Sequence, residues 1–77
     1  MGADGWIYLL DANVCDKNGY DPRDDFVNVY ERTIFGNRIY TVYGDTEHNY
    51  TEADDDEHTI EDYKKIGAFI DEWEVWS

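Results

Sequence analysis

Two histidines, one cysteine and a dense run of carboxylates are the residues of this 77-residue chain with the chemistry to hold or transform a ligand. His48, His58 and Asp54-Asp55-Asp56-Glu57 offer imidazole and carboxylate donors of the kind that bind divalent metals. Their spacing matches no established ligand pattern, so the run reads as a solvated acidic loop and no metal is expected. Asp16-x-Asn18-Gly19 followed by Asp21, Asp24 and Asp25 has the outline of a calcium loop, whose oxygen ligands recur at alternate positions around a turn glycine. Gly19 falls at the fourth position instead of the sixth, and Val27 occupies the twelfth, where a bidentate Glu belongs. An ordinary polar turn is the expectation.

Cys15 with either histidine is the minimum for thiol catalysis. A nucleophilic thiolate needs cationic surroundings, however, and Lys17 is the only basic residue near Cys15 in sequence. Phosphate-cradling glycine loops and a nucleophile elbow are absent. Paired carboxylates are plentiful, but acid–base work needs a pocket that drives two pKa values apart, and 77 residues leave little volume for one. The chain is expected not to be an enzyme and to use no cofactor.

The charge itself is the stronger signal. Net charge is −13 at pH 7, which argues against direct nucleic-acid binding, because phosphates would approach against the protein's own field. Residues 1–25 carry −4, residues 26–44 carry +1 and residues 45–77 carry −10. A surface selected only for solubility intersperses both signs, so this polarity favours an acidic face with a role. Residues 51–62, TEADDDEHTIED, hold seven carboxylates and no Lys or Arg.

A single domain spanning residues 1–77 must position these groups. Aromatics make up 17% of the chain, and large rings allow a small core to bury enough area. One cysteine permits no internal disulfide. The N-terminus lacks a basic region and a long apolar run, so neither a leader nor a membrane segment is expected, and the cytoplasm is the expected compartment. Trp6–Leu10 reads as a strand, and Asp16–Asp25 as a surface loop rich in turn formers. Phe26–Phe35 and Arg38–Tyr43 read as a hairpin closed by Gly36-Asn37. That closure pairs Ile34 with Ile39, Arg32 with Thr41 and Tyr30 with Tyr43, without deciding which face is core.

Thr59 is suited to cap a helix from Ile60 to Trp76, with Asp62 completing a capping box. Tyr63, Ile66, Phe69, Ile70 and Trp73 then share one stripe, and a Glu61–Lys65 pair lies on the other side. Gly67 is a weak point that a close approach to the sheet would explain. The expected fold is α+β: a three-stranded antiparallel meander with one C-terminal helix packed on it.

On this framework the acids form a continuous surface. Asp45 and Glu47 continue from the third strand, where residues two apart are roughly 6.6 to 6.8 Å apart. Glu52, Asp54, Asp55, Asp56 and Glu57 follow in the loop. Glu61, Asp62, Asp71, Glu72 and Glu74 carry the charge along the helix, and Tyr50 and Trp76 are aromatic candidates for contact anchors, as is Tyr20. Duplex DNA presents one charge per ~1.7 Å of axis, and such rows of carboxylates approximate it.

In size and acidic profile, above all over residues 45–62, the chain resembles the small acidic proteins by which bacteriophages disable host defences. These are the anti-CRISPR proteins and the DNA-mimic inhibitors of restriction or repair enzymes. The resemblance implies a stoichiometric inhibitor in the host cytoplasm, a monomer or small homo-oligomer. It would occupy the nucleic-acid-binding surface of a basic partner, such as a CRISPR effector or another defence nuclease. Three other readings compete: an immunity or antitoxin protein neutralising a basic nuclease, a salt-adapted acidic interaction domain, and calcium or magnesium binding by the acidic loop.

Overall fold

The computed structural model describes residues 3–45 and 57–76. Within them the chain runs β1 (Ala3–Asp11), α1 (Ala12–Lys17), α2 (Pro22–Asp25), β2 (Val29–Ile34), β3 (Asn37–Asp45), α3 (Ile60–Lys65) and β4 (Phe69–Trp76). The strands form one antiparallel sheet in the order β2-β3-β1-β4. The class is α+β, as the sequence predicts. The three-stranded meander and the long C-terminal helix are both replaced, for reasons that lie in individual residues.

At the C-terminal end the helix starts where expected, with the Asp62 carboxylate accepting the Thr59 backbone N–H at 2.9 Å. It stops early because Gly67 adopts φ +81°, a left-handed conformation that glycine takes without steric cost. The Gly67 N–H reaches the Lys64 carbonyl at 3.1 Å and the Ala68 N–H reaches the Tyr63 carbonyl at 3.0 Å, the paired bonds of a Schellman end. Nothing lies within 4 Å of a Cβ built on Gly67. Its role is to end the helix, not to admit the sheet. Phe69–Trp76, rich in aromatic and β-branched residues, then forms β4 against β1. Tyr63, Ile66 and Phe69 join the core, but Ile70 and Trp73 of the predicted stripe are half-exposed on the opposite side. The Glu61 partner is Lys64, at 3.4 Å, instead of Lys65.

The segment expected as a loop holds the end of one short helix and the whole of another, because its aspartates cap helices. Asp11 accepts the Asn13 and Val14 N–H groups at 2.9 and 3.3 Å and starts α1. Asp21 accepts the Arg23 N–H at 3.0 Å, with Pro22 at the first position of α2.

The β2–β3 hairpin turns on Phe35-Gly36, with φ +51° and +81°, the two positive values of a type I′ turn. Ile34 therefore faces Asn37, Arg32 faces Ile39 and Tyr30 faces Thr41. Either closure gives Gly36 a position that tolerates positive φ, so the turn signal alone does not choose between them. The predicted pairing is displaced by two residues, and a shift of two leaves every side chain on its predicted face. Tyr8, Leu10, Tyr40 and Val42 on one face are buried with Ala12, Cys15, Phe26, Tyr63 and Ala68. That face is the core. The other face carries Ile7, Leu9, Ile39, Thr41 and Trp73.

Candidate functional site

The sheet register gathers acids at one end. Gly5 of β1 pairs with Asp45 of β3 and with Val75 of β4, and Trp6 pairs with Glu74. Asp4, Asp45 and Glu74 therefore stand within one residue of a single row. The chain leaves this row at Asp45 and enters residues 46–56, which contain five acids and no Lys or Arg. Glu47, Tyr50, Glu52, Asp54, Asp55 and Asp56 lie outside the described residues.

Asp25 holds residues 57 and 58. The Asp25 carboxylate, 1% exposed, accepts the backbone N–H groups of Glu57 and His58 at 2.9 and 3.1 Å. It also accepts the Tyr63 hydroxyl and faces His58 Nδ1 at 3.2 Å. Tyr20 stacks on the His58 ring at 3.8 Å between centroids and meets Tyr63 edge-on at 5.2 Å. Tyr20 is thus a half-buried packing partner and not an exposed anchor. This buried knot was not recognisable in the sequence, where Asp25 is one acid among several and His58 one of two histidines.

Elsewhere, cations neutralise acids. Arg38 reaches Asp16 at 2.8 Å and Glu31 at 3.1 Å, and its charge is strengthened by both contacts. Arg23 pairs with Asp21 at 3.1 Å, and that hydrogen bond holds the Asp21 carboxyl below its ordinary range. Asp62 is lowered likewise, chiefly by the Thr59 backbone N–H. Asp16, Asn18 and Asp21 are thus engaged in a helix end, a cap and ion pairs, not in a calcium loop. Among the described residues no group of three or more His, Cys, Asp or Glu side chains converges as a metal site.

Glu61 and Asp62 occupy the first turn of α3. Asp71, Glu72 and Glu74 were expected on the outer side of a helix, but stand on β4 with Trp76. A register shift between Leu9 and Leu10 leaves Ile70 as an extra residue beside Asp71, which pairs with Leu9 on the open face, and beyond it the strand alternates, with Glu72 opposite Tyr8 on the core side. The acids of β4 do not form one row.

Cys15 is fully buried. Burial, reinforced by Asp16, Asp11 and Asp21, pushes its pKa up to about 12, so it is a protonated core group and not a thiolate.

The open sheet face forms a further feature. A groove of about 300 Å³ is lined by Ile7, Leu9, Arg32, Ile34, Thr41 and Trp73. A neighbouring one of about 250 Å³ adds Phe35, Ile39, Ile70 and Asp71. Arg32 and Ile34 belong to one edge strand and Trp73 to the other. The signal that would have revealed this face is the alternation in FIDEWEVW once Gly67 is taken as a helix stop. Among the described residues no helix is long and apolar enough to cross a membrane. Comparison with protein-family models, curated proteins and solved structures finds no match for this chain.

Proposed function

We propose that this protein is an acidic inhibitor that occupies the cationic, nucleic-acid-binding surface of another protein, in the manner of anti-CRISPR and DNA-mimic proteins. The observation that supports this reading is the charge polarity of the fold. Asp4, Asp45 and Glu74 share one end of the sheet, and the sequence that follows Asp45 adds five acids and no Lys or Arg over residues 46–56. Arg38, by contrast, is spent on Asp16 and Glu31 beside the start of β3. A negative pole of this kind accelerates encounter with a basic groove and makes the complex sensitive to salt.

The reaction is competitive binding with no bond made or broken. Carboxylates replace phosphates against the partner's Lys and Arg side chains, and release of their counterions supplies the salt dependence. The test mixes the protein with CRISPR effector complexes and restriction nucleases at low salt and measures displacement of labelled DNA. A stoichiometric complex that excludes DNA is expected. The variant D54N/D55N/D56N/E57Q is expected to fold normally and bind weakly. Absence of any such complex, or unchanged affinity of the variant, overturns this assignment of the acidic segment.

A further inference from the structure

An antiparallel sheet with one face in water normally places polar residues there. Here the open face is apolar: Ile7, Leu9, Ile34, Ile39, Ile70 and Trp73 line adjoining grooves. Ile70 is 50% exposed, Trp73 47% and Phe35, at the hairpin tip, 99%. Leu9, Ile39 and Thr41 at the centre are buried among their neighbours, so the exposed apolar area is that of Phe35, Ile70 and Trp73 around them, and exposed apolar side chains grouped in this way mark an interaction surface. Its occupant is constrained by the two charged residues that line these grooves, Arg32 and Asp71. Arg32 lies on β2 at one edge of the sheet, where Nη2 meets the Tyr43 hydroxyl at 2.7 Å. Asp71 lies on β4 at the other edge, with no ion pair among the described residues.

A purely cationic segment would satisfy Asp71 but oppose Arg32. A second copy satisfies both. A two-fold axis parallel to the strands lays β2 of one copy over β4 of the other, as sheets stack at about 10 Å in sandwiches. Arg32 pairs across from Thr41's neighbour Ile39, one row beyond the Tyr30–Thr41–Leu9–Asp71 row. Its side chain extends back across that row to Tyr43. Arg32 and Trp73 line one groove, so this stacking brings the guanidinium toward Asp71 and Trp73 of the partner copy.

We infer that the open sheet face is a self-complementary dimer interface in which Arg32 of each copy meets Asp71 and Trp73 of the other. The same axis sets the two acidic ends side by side, so the dimer tightens as salt screens the repulsion between chains of −13 charge. It is independent of the inhibitor reading, since it concerns the chain alone.

Sedimentation velocity on the full chain tests it, over a dilution series at low and moderate salt, with circular dichroism confirming the fold of each variant. Wild type is expected to reach twice the monomer mass, at lower concentration when salt is raised. Arg32→Asp and Asp71→Arg are each expected to be monomeric. Their equimolar mixture, and the double variant R32D/D71R, are expected to dimerise again, which a merely structural effect of either change would not produce. A wild type that stays monomeric throughout overturns the inference, as does a dimer indifferent to both reversals or an open-ended assembly. Monomeric wild type whose open-face resonances shift with a Lys/Leu amphipathic peptide would give this face to a basic partner instead.

Discussion

The Tyr63 hydroxyl on α3 donates to the Asp25 carboxylate on α2, joining residues 38 apart in sequence inside the core. The carboxyl group is buried, and a buried polar group is tolerable only when its oxygens are hydrogen-bonded. Here two backbone N–H groups and the hydroxyl donate to it, and the His58 ring lies beside it. The bond also raises the Tyr63 pKa, after the larger effect of burial. Through Asp25, the acidic segment's return point is tied to the same core that carries the sheet.

Removing Tyr63's hydroxyl leaves Asp25 one donor short, so Tyr63→Phe is expected to cost about 1–3 kcal/mol. Asp25→Ala strands three donors at once and is expected to cost more, since each buried donor left unpaired costs about 1–3 kcal/mol. The double variant should lose less than the two losses added, because the changes share one network. Urea unfolding measures all three. Strict additivity would show that the two groups do not act together.

Cys15 has an ordinary pKa of 9.0 and is held to about 12 in the folded protein. Between those values the unfolded chain has released a proton that the folded chain keeps, so stability falls as pH rises. The contribution is complete below about pH 9 and lost on the way to 12, and Tyr63, also raised, acts in the same direction. Two results are expected. Iodoacetamide should modify Cys15 only as fast as the protein opens, and Cys15→Ala should show a flatter loss of stability above pH 9 than wild type. Rapid labelling under native conditions would contradict the buried, protonated thiol.

Legibility in the sequence followed the range of the interaction. The β1 run, the hairpin strands and the Thr59–Asp62 start of α3 rest on neighbours a few residues apart, and they form. The faces of the hairpin survived even a displaced register, since side-chain direction repeats every two residues. The helix stop at Gly67 was hidden because Tyr63, Ile66, Phe69, Ile70 and Trp73 also fit a helical stripe. A left-handed glycine overrides such a stripe, and the strand beyond it is stabilised by β1, more than fifty residues away. The Asp25 knot depends wholly on tertiary contacts, which no local pattern announces. The acidic pole lay between these cases: its charge was evident, whereas the row joining Asp4, Asp45 and Glu74 needed the pairing of three strands.

Gly67 carries the boundary between α3 and β4 and so gives a direct test of it. A Cβ at this position meets no atom, yet φ +81° disfavours any L side chain, by roughly 1–2 kcal/mol. Gly67→Ala is expected to lower stability by that amount, whereas Gly67→Asn should lose less, because Asn tolerates this conformation. Were the segment a continuous helix, Ala would instead stabilise it by about 1 kcal/mol. The sign of the change in the urea midpoint therefore decides between a helix stop and an uninterrupted helix.

Phe35 combines two costs that its own fold does not recover. It sits at φ +51°, where a non-glycine residue loses roughly 1–2 kcal/mol, and its ring is 99% exposed. Asn at the first central position of a type I′ turn followed by Gly is the favoured pair, so Phe35→Asn is expected to stabilise the monomer by about 1 kcal/mol. Phe35 also shares a groove with Ile70 and Trp73, so in the stacked dimer its ring contributes to the buried surface. The same substitution is then expected to weaken self-association. Urea unfolding in dilute solution and sedimentation in concentrated solution should move in opposite directions. A variant that is more stable and associates as tightly as wild type would place Phe35 outside the interface.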